Sequence, residues 1–285
     1  MEKRIIGRGV LLGALGGLLA FLFARILSEP LIDRAIDYEA GRDEAQEALD
    51  KAAGHSMHGM GETELFTRTE QANAGLGFGV IVFGIAMGAL FAVVYYLALR
   101  RAGRIAPRPL ALLVSGGMFL ALYAVPFLKY PANPPSVGHA DTIEERTGLY
   151  LAMIVITAVV LLGAVWLGRR LASRWGDWAA TVAAAVSFVV VMGVVLALMP
   201  SLGRLSANAS FGDFDTETPQ PLTDPAGRIV YPGFPADDLY HFRLYAFGAQ
   251  LILWLVIGVG FAWLAPRLLG ERTPATESGE PAPAA

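Results

Sequence analysis

The chain has 285 residues, of which 55% are hydrophobic and only 16% charged, with a net charge of −3 and no cysteine. Soluble proteins carry about a quarter charged residues, so a water-soluble enzyme is excluded and an integral membrane protein is indicated. The lack of cysteine removes disulfides, thiolate metal sites and cysteine nucleophiles together, and leaves His, Met, carboxylates and backbone as the metal ligands available.

Six apolar stretches are long enough to cross about 30 Å of hydrocarbon. They fall at 10–27, 75–97, 110–128, 149–167, 178–199 and 244–264. The predicted fold is therefore an all-α integral membrane protein with one six-helix transmembrane domain over 1–267. Lys3, Arg4 and Arg8 precede the first stretch, and its length and the lack of a cleavage site favour a retained helix over a signal peptide. Gly9, Gly13 and Gly17, and again Gly84 and Gly88, recur every fourth residue, the spacing that lets two helices approach closely. The connections after the second and fourth stretches are short and basic, with Arg100, Arg101, Arg104 and Arg108, then Arg169, Arg170 and Arg174. Arg267 and Arg272 follow the last. The excess of Lys and Arg near span ends places these connections and both termini in the cytoplasm. The outer loops are then 28–74, 129–148 and 200–243, and they hold 20 of the 25 acidic residues, a field that attracts cations. Within the first of them, Pro30 to Ala53 reads as a short interfacial helix. The Pro-, Ala- and Glu-rich tail, 268–285, is predicted to be disordered.

No nucleotide-binding glycine loop, HExxH or GxSxG motif occurs, and the span centres offer nothing more polar than Thr157, Ser187 and Gln250. ATP hydrolysis and a proton relay through buried acids are disfavoured. All four histidines fall on the predicted outer side. His55 and His58 sit with Met57 and Met60 in a Gly-flanked segment, a set of imidazoles and thioethers that suits late first-row metals. His139, near Asp141, and His241, near Asp238, lie just outside spans; they either converge with the first loop or are unrelated interfacial residues. Each span entered from the outer side is preceded by an arginine, Arg68, Arg146 or Arg243, which suggests three helical hairpins in parallel repeat, or simply snorkelling side chains. Met87, Met118, Met153, Met192 and Met199 read as packing or as a soft-metal path.

Three segments carry a family resemblance: Ser28 to Ile36, Phe127-Leu-Lys-Tyr-Pro-Ala-Asn-Pro-Pro135, and Phe234 to Asp238 leading into Phe242-Arg243. Together they resemble CbtA, a predicted cobalt transporter subunit, over roughly Arg4 to Leu264. The resemblance implies a cell-membrane (inner-membrane) protein linked to cobalamin biosynthesis, with cobalt as substrate, no organic cofactor, no nucleic acid, and a small His-tailed membrane partner like CbtB. It implies a metal-capturing first loop, here reduced from a richer His tract to His55, Met57, His58 and Met60, ahead of a segment resembling Phe66 to Gln71. His139, His241 and Asp238 complete the expected metal path, and Arg68, Gln71, Lys129, Arg146 and Arg243 are structural or gating candidates. The competing readings are a non-transporting metal-binding or assembly scaffold, and a membrane enzyme using Arg68, Arg146 and Arg243 as anion clamps.

Overall fold

A computed structural model describes residues 2–54, 75–101, 103, 105–208 and 216–269. The predicted capture loop at 55–74 and nearly all of the tail lie outside these residues. The helices are α1 (Glu2–Leu27), α2 (Glu29–Ala52), α3 (Leu76–Leu99), α4 (Pro107–Phe119), α5 (Val125–Lys129), α6 (Ile143–Leu198) and α7 (Ala236–Leu269), and one π-helical turn (Leu120–Ala124) joins α4 to α5. Among the described residues, five helical units are long and apolar enough to cross a membrane: α1, α3, the α4–α5 unit, α6 and α7.

The 56-residue α6 is far longer than a bilayer requires. It doubles back at Gly176, whose φ of 77° and ψ of 165° lie in backbone space open essentially to glycine alone. Its arms then pack against each other: Met153 and Met192 are buried in one cluster with Val160, Phe188 and Val195, and Gly168 abuts Ala184. The stretches read at 149–167 and 178–199 are the two arms of this hairpin.

Helices α1, α3, α4 and α7 form the main bundle. Lipid is as apolar as leucine, so hiding apolar side chains gives little drive for helix association, and van der Waals packing between backbones must supply it. A Cβ on Gly84 would lie 2.8 Å from the Gly17 Cα, one on Gly13 2.9 Å from the Gly88 Cα, and one on Gly17 2.9 Å from the Val80 carbonyl oxygen. At the end where α1 begins and α3 and α7 finish, Phe91, Tyr95 and Phe261 are fully buried with ring centroids 4.8–5.9 Å apart. Ser115 on α4 donates to the Trp254 carbonyl of α7 at 2.8 Å, so this buried hydroxyl is satisfied across the helix contact. Arg100, Arg170 and Arg267 lie over Tyr96, Trp166 and Trp263, with the closest cation 4.2 Å from its ring centre.

The π-turn has a covalent cause. Pro126 has no N–H for the carbonyl of Leu122, four residues earlier, and the helix widens over Leu120–Ala124. The Tyr150 hydroxyl on α6 donates to that Leu122 oxygen at 3.4 Å. This π-turn and α5 are the main seat of the α6 hairpin, and α6 is the least buried spanning helix, at 11% of its most apolar stretch against 28–44% for the others.

Opposite the arginine-rich end lies a polar cap. The expected short interfacial helix at 30–53 is a 24-residue helix, α2, which runs on from α1 through Ser28. It packs over an irregular segment containing a small antiparallel hairpin, β1 (Leu222–Thr223) with β2 (Ile229–Tyr231). Ala35, Tyr38, Val137, Phe234 and Leu239 form the cap core. Tyr38 meets Phe234 edge-on at 5.0 Å and donates its hydroxyl to the Pro232 carbonyl at 2.9 Å. Burial raises the Tyr38 pKa above the usual tyrosine value, against the opposing charge of Arg42.

Replacement of Gly13 by Leu is expected to destabilise the protein by about 1–3 kcal/mol or more, since the backbones must part. Gly163→Ala, at a position with nothing within 4 Å of the new methyl, is expected to stay within about 0.5 kcal/mol of the parent; thermal unfolding in detergent compares them. In the cap, Tyr38→Phe is expected to cost about 1 kcal/mol, and Tyr38→Ala about 3 kcal/mol or more. Hydrogen exchange should place that loss in α2 and 217–235 and leave the bundle protected.

Candidate functional site

The cap end gathers the site candidates that fall within the described residues. His55, Met57, His58, Met60, Arg68 and Gln71 lie outside them. His139 precedes a short 3₁₀ turn (Ala140–Thr142) that leads into α6. Its carbonyl accepts the Thr142 hydroxyl at 2.9 Å and Arg146 Nη2 at 3.4 Å. His241 stands one turn into α7, where Nδ1 lies 2.8 Å from the Asp237 carbonyl oxygen. A carbonyl can only accept, so Nδ1 carries a proton in this contact and Nε2 is the ring nitrogen not engaged by it. Asp238 is committed elsewhere: its carboxylate pairs with Arg34 of α2 at 2.8 Å and fastens the cap to α7.

The arginines singled out by spacing are clamps within this end. Arg243 donates Nη2 to the Asn133 side chain at 2.7 Å and so holds the Lys129–Pro135 segment against α7. Lys129 ends α5, where a cation is favourable beside the free carbonyls. Arg146, in the first turns of α6, pairs with Glu217 at 3.3 Å, and the Glu217 side chain is 1% exposed. The sequence pointed to no role for Glu217 or for Asn208, which donates Nδ2 to Glu217 Oε1 at 2.8 Å; one acid among twenty in the outer loops carries no distinguishing signal.

Two cavities flank this ion pair. The outer one, about 330 Å³, is lined by Glu39, Arg42, Asp43, Ser136, His139, Asn208 and Glu217, among others. The other, about 680 Å³, is walled by Tyr123, Phe127, Tyr130, Tyr150 and the 131–135 turn, with Arg146 at its edge. Their linings show which chemistry each permits: polar and acidic outside, aromatic and apolar toward the helices. Among the described residues no three of His, Asp and Glu converge into a ready-made metal ligand set.

The methionines divide between packing roles. Met118 lies in the main core with Met87 against it, while Met153 and Met192 are buried between the arms of α6 with Met199 alongside. Thr157 returns its hydroxyl to the Met153 carbonyl at 2.7 Å, and Ser187 to that of Ala183 at 2.8 Å, so these mid-span hydroxyls satisfy themselves within their own helices.

No curated protein and no solved structure matches the chain. The family profile described as probable cobalt transporter subunit (CbtA) matches residues 2–266. A multi-pass helical membrane protein matched over nearly its whole length in this way belongs to the CbtA family of probable cobalt transporter subunits.

Proposed function

We propose that this chain is the membrane subunit of a cobalt uptake system, crossing the bilayer six times with the arginine-rich end and both termini in the cytoplasm of a cell-membrane protein. The family match over residues 2–266 carries this reading. In it, the two arms of α6 count as separate crossings, and the arginine-over-aromatic pairs of Arg100, Arg170 and Arg267 mark the inner interface. The acid-rich outer face concentrates cations. His55, Met57, His58 and Met60 capture the ion, and His139 and His241 receive it at the cap. Asp238, paired with Arg34, acts by holding α2 over the mouth of the bundle.

No ATP-binding motif occurs in the sequence, so the driving force in this reading is the membrane potential. A divalent cation gains about 4–5 kcal/mol per 100 mV of inward potential. The family description as a subunit calls for a partner, for which a small His-tailed membrane protein of the CbtB type is the candidate. The competing reading is a non-transporting metal-binding scaffold, favoured by the close backbone packing of α1 and α3 and by mid-span polar groups bonded within their own helices.

Uptake of labelled cobalt, with nickel as competitor, separates the two. In cells lacking other cobalt importers, expression of this chain with its partner is expected to raise cobalt accumulation, and the paired change His55→Ala with His58→Ala to lower it several-fold. Correct membrane insertion without any cobalt accumulation would overturn the transport reading.

A further inference from the structure

The outer cavity of the cap contains oxygen acceptors that the fold does not use. Asn208 is 2% exposed. Its Nδ2 faces two acceptors, the Leu202 carbonyl and Glu217 Oε1, each at 2.8 Å. Only the amide nitrogen can satisfy both, so the orientation of the amide is settled by its neighbours. The Asn208 Oδ1 atom is left over by this arrangement, buried with no hydrogen-bond partner among the described residues. Ser136 Oγ, lining the same cavity, is likewise buried without one. Ser136 holds a φ of 65°, a left-handed conformation that costs a side-chain-bearing residue energy and is common where function over-determines the backbone. Gly138, at φ 118°, brings the same turn against the carboxylate: a Cβ there would sit 3.2 Å from Glu217 Oε2.

Glu217 supplies the charge. Its side chain is 1% exposed, and its counter-ion is Arg146 through one 3.3 Å contact. That arginine is poorly held, since its bond to the His139 carbonyl is 3.4 Å long and its Nε is buried with no partner among the described residues. A buried carboxylate needs a cation beside it, and a loosely bonded guanidinium is one that another cation can replace. Glu39 and Asp43, exposed on α2, line the same cavity beside Arg42, whose guanidinium is turned to the Gln220 carbonyl at 2.7 Å, and the two acids outnumber that one cation.

We infer that this cavity is a divalent-cation site in which Glu217 is the charged ligand, Asn208 Oδ1 and Ser136 Oγ are neutral oxygen ligands, and Arg146 is the resident positive charge that the arriving ion displaces. One carboxylate and two neutral oxygens leave the ion most of its own waters, as suits a transient station. Arg146 also lines the apolar cavity, so its displacement by the ion alters the charge at that second lining. The inference rests on the reading of the chain as a cation-handling subunit, and names a station for the ion distinct from the His55 and His58 loop.

The test uses equilibrium binding, whose outcome does not depend on uptake. The full chain is purified in lipid nanodiscs with His55→Ala and His58→Ala, so that loop ligands do not contribute, and titrated calorimetrically with Co²⁺ alone. One Co²⁺ per chain is expected. Arg146→Gln should tighten it by about tenfold or more, the effect of removing a like charge beside a partly buried ion, and should make the melting temperature rise with added Co²⁺. The paired change Arg146→Gln with Glu217→Gln keeps the site neutral and folded, and should abolish binding and the thermal shift. Absence of binding in the parent, undiminished binding in the paired variant, or weaker binding in Arg146→Gln would each overturn the inference. Binding that follows this pattern in a chain that moves no cobalt would refute the uptake reading and leave the site standing.

Discussion

The bundle depends on how closely α1 and α3 approach. In lipid there is almost no gain from hiding one apolar side chain behind another, so a helix pair is held by the contact area its backbones can reach. Gly9, Gly13 and Gly17 meet Gly84 and Gly88 with no room for a methyl group between them. That contact sets the distance at which α7 lies against α1, and through Ser115 and Trp254 the distance of α4 from α7. A bulky residue on that seam would therefore disturb the placing of four helices.

The cap is built on a different economy of forces. Its core is small and aromatic, centred on Tyr38, and ion pairs brace it: Arg34 with Asp238, Arg146 with Glu217, Arg228 with Asp224. Two of these pairs join elements far apart in the chain, so the cap is tied to the starts of α6 and α7 at two places. A buried ion pair contributes little net stability, because desolvation opposes the attraction. What the Arg146–Glu217 pair adds is position, the acid lining the polar cavity and the base lining the apolar one.

Much of the membrane architecture was legible in the residues. Apolar stretches of the right length marked the spanning helices, and the four-residue glycine spacing marked the α1–α3 contact, because both are local patterns imposed by the bilayer and by helix geometry. The return of α6 at Gly176 could be read only as a short basic connection between two stretches; the glycine that makes the reversal is one of 32. The cap was far less legible. α2 shows no strong apolar face to announce its length, and its partners lie about 180 to 200 residues away, as with Tyr38 and Pro232 or Arg42 and Gln220. The arginines at 146 and 243 were visible as a recurring pattern, yet what each holds, Glu217 in one case and Asn133 in the other, is fixed by tertiary placement alone. Asn208 and Ser136 matter through unused oxygen atoms, a property no residue pattern encodes.

The seat of α6 on the π-turn has a mechanical consequence. A hairpin that the rest of the protein leaves largely uncovered and fastens chiefly near one end is less braced against a change in bilayer thickness than a helix enclosed on all sides. Any tilt it adopts to match the hydrocarbon is referred to its anchorage, where Tyr150 reaches the Leu122 oxygen left without a donor by Pro126. The start of the same helix carries Arg146. The hairpin is thus braced chiefly at one end, on a turn that a proline makes.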